Sequence, residues 1–213
     1  MAGLPPGTLV HIGERLVEKP KIRVMDYDES RVEEKELRSV DEAFPYKGKP
    51  TVTWISIDGI HDKDVIEKIG CHFNIHPLLL EDIMNTDQQP KLEDFGDYLF
   101  IVLKTLSSEG ENGEIRAEQV SLVVNRDVVI SFQERESPVF DSVRERIRSG
   151  KGRHRRSNTD YLAYSLIDAV VDHYFVIMEE LGEEIETLED RLVADPRPQT
   201  LKGIQRLRKK MLI

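Results

Sequence analysis

Two textures of hydrophobic and polar residues divide the chain. From the start to about residue 135, short apolar runs alternate with turn residues. From about residue 138 onward, apolar positions recur at helical spacing. In the first part, Lys21–Tyr27 and Arg31–Leu37 read as two strands around Asp28-Glu29-Ser30. Pro45 to Pro50 reads as a loop, and Thr51–Ile57 as a β-branched, aromatic strand stopped by Asp58-Gly59. A short helix follows, with Asp62 as its N-cap, Val65, Ile66 and Ile69 on one face, and Gly70 at its C-cap. A second short helix begins at His76-Pro77, because proline at the first helical position removes an N–H that has no partner there.

Tyr98–Leu106 is a nearly continuous apolar run, read as a buried strand. The polar stretch Ser107–Glu118 holds the hairpin dipeptide Asn112-Gly113, and Gln119–Val124 and Val128–Phe132 are two further strands. Three consecutive strands then form an antiparallel meander, with helices inserted before it. That pattern predicts an α+β domain over residues 1–135, with helices covering a mostly antiparallel sheet.

Residues 136–213 read as a helical region. Ser137-Pro138 opens a helix with Val139, Val143 and Ile147 on one face, and Gly150 ends it. Lys151–Arg156 is a basic segment, expected to be a solvated loop. From about 159 to 193 there is no proline, and Val170, Tyr174, Ile177, Leu181, Ile185, Leu188 and Leu192 step by threes and fours. About 35 residues of helix span about 50 Å. The opposite face is acidic. Asp195-Pro196-Arg197-Pro198 breaks the run, and a basic helix over about 200–213 is expected to fold back as its antiparallel partner. Helix is still running at Ile213, which is expected where a longer protein continues.

Composition narrows the function. No stretch approaches about 20 uncharged apolar residues, the length that crosses a bilayer. The single cysteine, Cys71, excludes an internal disulfide framework and fits a reducing compartment. The net charge of -10 disfavours nucleic acid and suits cations or basic partners. Phosphate-loop, dinucleotide, zinc-helix and nucleophile-elbow signatures are absent, so an enzyme is not expected.

Carboxylates are the better candidates. Glu81-Asp82 interrupts an otherwise Leu/Ile-rich helix, either as its exposed face or as a site. Asp168 and Asp172, four apart on the long helix, share one face flanked by apolar residues. Two like charges there are offset by a divalent cation, a basic partner or solvent. Hard cations such as Mg²⁺ take carboxylate oxygens, and Mg²⁺ keeps much of its water, so one or two carboxylates per chain suffice. Cys71, His72 and His76 lie close in sequence and leave zinc open, although Pro77 interrupts any shared helix.

The segments His76-Pro77-Leu78-Leu79-Leu80-Glu81-Asp82-Ile83, Gln89-Pro90-Lys91-Leu92-Glu93 and Tyr98-Leu99-Phe100-Ile101-Val102-Leu103 resemble the cytoplasmic part of CorA-type magnesium and cobalt transporters. So do Glu118–Leu122, Val139–Ile147 and Asp160–Asp168, in the same order along the chain. The family's Gly-Met-Asn signature and its two membrane helices do not occur in these residues.

The resemblance implies an α/β/α sandwich followed by long antiparallel helices, on the cytoplasmic face of the cell membrane. It further implies a homo-pentamer in which divalent ions, Mg²⁺ with Co²⁺ or Ca²⁺ as substitutes, bind between protomers and favour the closed state. Carried over by residue, one intersubunit site maps onto Asp82 with Glu81 beside it, and a second onto Asp168, with Asp172 an extension by proximity. The partner aspartate on the stalk helix is expected beyond Ile213, and contact with the membrane only through helices that follow. Two alternatives stand beside this reading. One is a zinc-transporting member of the same superfamily. The other is a metal-independent module whose acidic helix binds a basic partner.

Overall fold

The structure, a computed structural model, describes residues 8–109, 113–194 and 198–211. Its centre is a seven-stranded sheet built from β1 (Lys21–Tyr27), β2 (Val32–Leu37), β3 (Val52–Asp58), β4 (Lys91–Asp94), β5 (Leu99–Glu109), β6 (Glu114–Val124) and β7 (Val128–Gln133). The strand order is β2-β1-β3-β7-β6-β5-β4. Every neighbouring pair is antiparallel except β3 and β7, which run parallel with Ile55 opposite Ile130 and Asp58 opposite Gln133.

Among the described residues, five α-helices accompany the sheet: α1 (Lys63–Phe73), α2 (Pro77–Met84), α3 (Asp141–Ser149), α4 (Thr159–Ala194) and α5 (Pro198–Lys210). One face of the sheet presents Val24, Ile57, Val102, Ile130 and Phe132, packed with Ile66, Ile69, Leu80 and Ile83 of α1 and α2. The other presents Met25, Trp54, Val120 and Leu122, packed with Val143 and Ile147 of α3 and Leu162, Leu166 and Val170 of α4. Alternate residues of a strand point to opposite faces, so β-branched and aromatic residues at both parities give two dry cores around one sheet. This is the expected α/β/α sandwich.

Caps behave as their chemistry requires. Asp62 accepts from the N–H groups of Asp64 and Val65, and Pro77 opens α2. Gly70, however, does not end its helix. α1 runs on to Phe73, and Asn74 takes the left-handed conformation at φ 58°. A Cβ on Gly70 would lie 2.2 Å from Leu80 Cδ1, so the glycine marks the closest approach of α2 to α1. The polar stretch after Leu106 is also more ordered than expected. β5 and β6 continue as a ribbon to Glu109 and Glu114, because Ser107 pairs with Arg116 and Ser108 with Ile115 in register. Asn112 of the expected turn lies outside the described residues. The charged strand β4 was not expected. Its four residues sit at the sheet edge, where an alternating, half-solvated pattern suffices.

α4 is the expected long helix. Leu188 lies against Gly203, and Glu184 accepts from Lys210 Nζ at 2.6 Å, so α5 runs antiparallel to α4 with an acid–base contact between them. The breaking residues 195–197 lie outside the described residues. Against the composition reading, Thr159–Val193 is long and apolar enough to cross a membrane, with mean hydropathy 1.3 in its most apolar window. Of that window 39% is buried, and the buried stripe rests on the sheet. The basic segment after α3 is not simply solvated. His154 is buried, and Arg155 Nε donates to the Ile147 carbonyl at 2.6 Å, closing the end of α3.

Gly70→Ala is expected to destabilise the chain by about 1–3 kcal/mol, because Leu80 is buried and has little room to retreat. Urea denaturation reads this as a lower midpoint at an unchanged slope. An unchanged midpoint would mean that α1 and α2 do not meet at this glycine.

Candidate metal-binding carboxylates

α2 is oriented from both ends. At its start, His76 has an extended backbone and its Nδ1 accepts from the Leu78 N–H at 3.3 Å. Near its end, Gln119 Nε2 on β6 donates to the Asp82 carbonyl at 3.0 Å. Leu79, Leu80, Ile83 and Met84 are buried against the sheet, which leaves Glu81 and Asp82 partly buried at the rim.

The Asp82 carboxylate is occupied on both oxygens. Gln88 Nε2 donates to Oδ1 at 2.9 Å, and Lys91 Nζ to Oδ2 at 2.6 Å. Lys91 also donates to Glu93 Oε1 at 3.0 Å, and its ammonium lies 5.6 Å from the centre of the Phe100 ring. Burial pulls the Lys91 pKa down, but its hydrogen bonds to Asp82 and Glu93 outweigh this and leave it above the ordinary lysine value. The side chains of Asp82 and Lys91 are 22% and 27% exposed, so the pair borders solvent rather than lying in the core. The carboxylate charge is thus met within the chain, by one ammonium and one amide donor.

Asp168 lies elsewhere. It is partly buried on α4, and the Tyr164 hydroxyl donates to its Oδ1 at a long 3.5 Å. Asp172, one turn on, is exposed. Around Asp168 the outer face of α4 is apolar and open: Tyr164 is 58% exposed, Val171 43%, Phe175 59% and Met178 63%. α2 covers one face of the sheet and α4 the other, so one chain does not bring Asp82 and Asp168 together. Among the described residues, no three His, Cys, Asp or Glu side chains gather as a metal cluster.

The zinc candidates do not converge. Cys71 is exposed, His72 stacks on Phe44 at 4.0 Å with its Nε2 3.2 Å from the Phe44 carbonyl, and His76 caps α2. Sequence reasoning missed Gln88 and Lys91 as partners of Asp82, and Glu93 as the second carboxylate on Lys91. A trace of them was there: Lys91 and Glu93, two apart, share a face only if the segment is a strand, and β4 was not recognised as one.

The fold recurs in solved structures, and the sequence places the chain in a family. The soluble domain of CorA from Methanocaldococcus jannaschii superposes with a TM-score of 0.68 at 17% identity, over 89% of this chain and 72% of that one. The ZntB cytoplasmic domain from Vibrio parahaemolyticus does so with a TM-score of 0.66 at 12% identity, over 90% of this chain and 72% of that one. Identities that low show the fold alone. The model of the CorA-like Mg²⁺ transporter protein family matches residues 50–213, and the chain belongs to that family. It is 44% identical over 210 residues to the cobalt/magnesium transport protein CorA of Thermotoga maritima, which covers 99% of this chain and 60% of that protein. The chain thus spans about three-fifths of that relative's length.

His76→Ala is expected to cost about 1 kcal/mol through the lost cap, seen in thermal denaturation, and to leave any response to Zn²⁺ unchanged. Loss of a Zn²⁺-specific stabilisation in this variant would restore His76 as a ligand.

Proposed function

We propose that this chain is the divalent-cation-sensing cytoplasmic part of a CorA-type Mg²⁺/Co²⁺ transporter, at the cytoplasmic face of the cell membrane. Mg²⁺, or Co²⁺ or Ca²⁺ in its place, binds carboxylates between the protomers of a homo-pentamer and favours the closed state. The observation that carries this reading is the setting of Asp168 within the open apolar face of α4. Exposed apolar area of this kind marks a surface that another chain covers. A carboxylate covered with it needs a counter-charge, since burying an unpaired charge is costly. A divalent ion shared with a neighbouring chain supplies that charge.

The separation of Asp82 from Asp168 supports the same reading. Carboxylates on opposite faces of a sheet cannot share an ion within one protomer, but each can meet a neighbour's groups. With the ion bound, opposed carboxylates attract it and hold the protomers together. With the ion gone, they repel, and the arrangement shifts by the difference in affinity between the two states. Glu81, beside Asp82, and Asp172, one turn beyond Asp168, add negative potential at the two positions.

Mg²⁺ at about ten times its dissociation constant is expected to stabilise the chain by about 1.4 kcal/mol, raising Tm by about 3–5 °C. Asp82→Asn and Asp168→Asn should each reduce that rise in a calorimetric scan. Phe175→Ser should weaken self-association in sedimentation experiments at saturating Mg²⁺. A rise of the same size in the Asp82→Asn, Asp168→Asn double variant, or none in the unaltered chain, would sink the reading.

A further inference from the structure

Both oxygens of the Asp82 carboxylate carry a donor, Gln88 Nε2 on Oδ1 and Lys91 Nζ on Oδ2. Each oxygen keeps a second lone pair, but a metal ion bound there would sit beside the Lys91 ammonium, a like charge 2.6 Å from Oδ2. We propose that Lys91 is a tethered cation that competes with the divalent ion for Asp82, so that the ion binds by exchange with the lysine ammonium. This inference rests on the reading of Asp82 as a metal ligand and adds how that ligand is tuned.

The surroundings of Lys91 fit an exchangeable ion. Its backbone is held on the edge strand β4, where residue 91 pairs with Val102. Its side chain is a four-carbon stem with free rotation, so the ammonium moves while the strand stays. It is shared between two carboxylates, Asp82 at 2.6 Å and Glu93 at 3.0 Å, and it lies over the Phe100 ring. When a divalent ion takes Asp82, the ammonium can withdraw onto Glu93 and the ring. No uncompensated charge is then left behind, which keeps the exchange inexpensive. Glu93 thus acts as the resting place of the displaced lysine.

Two consequences follow from charge. The competitor lowers the apparent affinity of Asp82 for any cation, moving the response to higher free metal. It also discriminates between charges. A divalent ion outbids an ammonium at the same carboxylate, because the Coulomb attraction doubles. A monovalent ion carries no such advantage over an ammonium that is tethered and so present at high effective concentration. Lys91 then screens Asp82 from monovalent cations.

The test is a Mg²⁺ titration of the 213-residue chain followed by NMR, reading the α2 backbone amides and the Lys91 ammonium signal together. In the unaltered chain the ammonium signal should shift with the same midpoint as the amides. Lys91→Met should lower the Mg²⁺ midpoint about tenfold and let Na⁺ perturb the same amides. Glu93→Gln should raise the midpoint several-fold, since the lysine then has only Asp82 to hold. If Asp82→Asn abolishes the Mg²⁺ response while Lys91→Met leaves the midpoint unchanged, the exchange is wrong and the metal ligand stands. An ammonium signal that stays still while the amides shift would overturn it equally. If neither the unaltered chain nor Lys91→Met responds at α2, both the exchange and the reading of Asp82 fall.

Discussion

The parallel ladder between β3 and β7 governs where everything else lies. It joins residues 75 positions apart, as Thr53 with Val128, and is the single place where the sheet is not antiparallel. Both strands end at the same edge, at Asp58 and Gln133, and the Gly59 N–H continues the pairing to the Gln133 carbonyl at 2.8 Å. From that edge β3 leads into α1 and α2 over one face, and β7 leads into α3 and α4 over the other. The opposite placement of Asp82 and Asp168 is a consequence of this split. Charge reinforces the same region. Arg23 donates to the buried Asp58 at 2.6 Å, and burial still raises the Asp58 pKa against that partner. Arg144 of α3 is buried beside them with its guanidinium over Trp54.

Local structure was legible because local chemistry decided it. Asp62 and Pro77 open helices for reasons visible in two or three residues, and the β-branched run of β3 needs no distant partner to be recognised. The long helix followed from its spacing. The misses are non-local. Gly70 has the composition of a cap, and only the packing of Leu80 shows that it is a contact. The polar ribbon of β5 and β6 is stabilised by cross-strand pairing rather than by an apolar face, so its hydropathy was silent. β4 is four charged or exposed residues whose identity as a strand depends on β5 beside it.

The same division runs through the site. Glu81, Asp82, Asp168 and Asp172 were singled out by residue type and by resemblance, and the structure places them on two separate layers. What surrounds Asp82 was not legible, because Gln88 and Lys91 reach it only once the chain turns from α2 into an edge strand. α4 shows why a hydropathy pattern can mislead in either direction. One stripe of the helix closes a core, another is open, and averaging the two gives a helix apolar enough to suggest a membrane.

Trp54 is the only tryptophan of the chain. It is 2% exposed, its indole N–H donates to Ser131 Oγ at 2.9 Å, and it sits edge-on to Phe140 at 5.8 Å beneath the Arg144 guanidinium. These partners come from β7, the start of α3 and α3 itself, all on the α4 side of the sheet. The tryptophan emission of the chain therefore originates from one layer of the sandwich. An emission change on adding a ligand reports that this layer has loosened or tightened, and an ion that acts only around α2 leaves it dark to this probe.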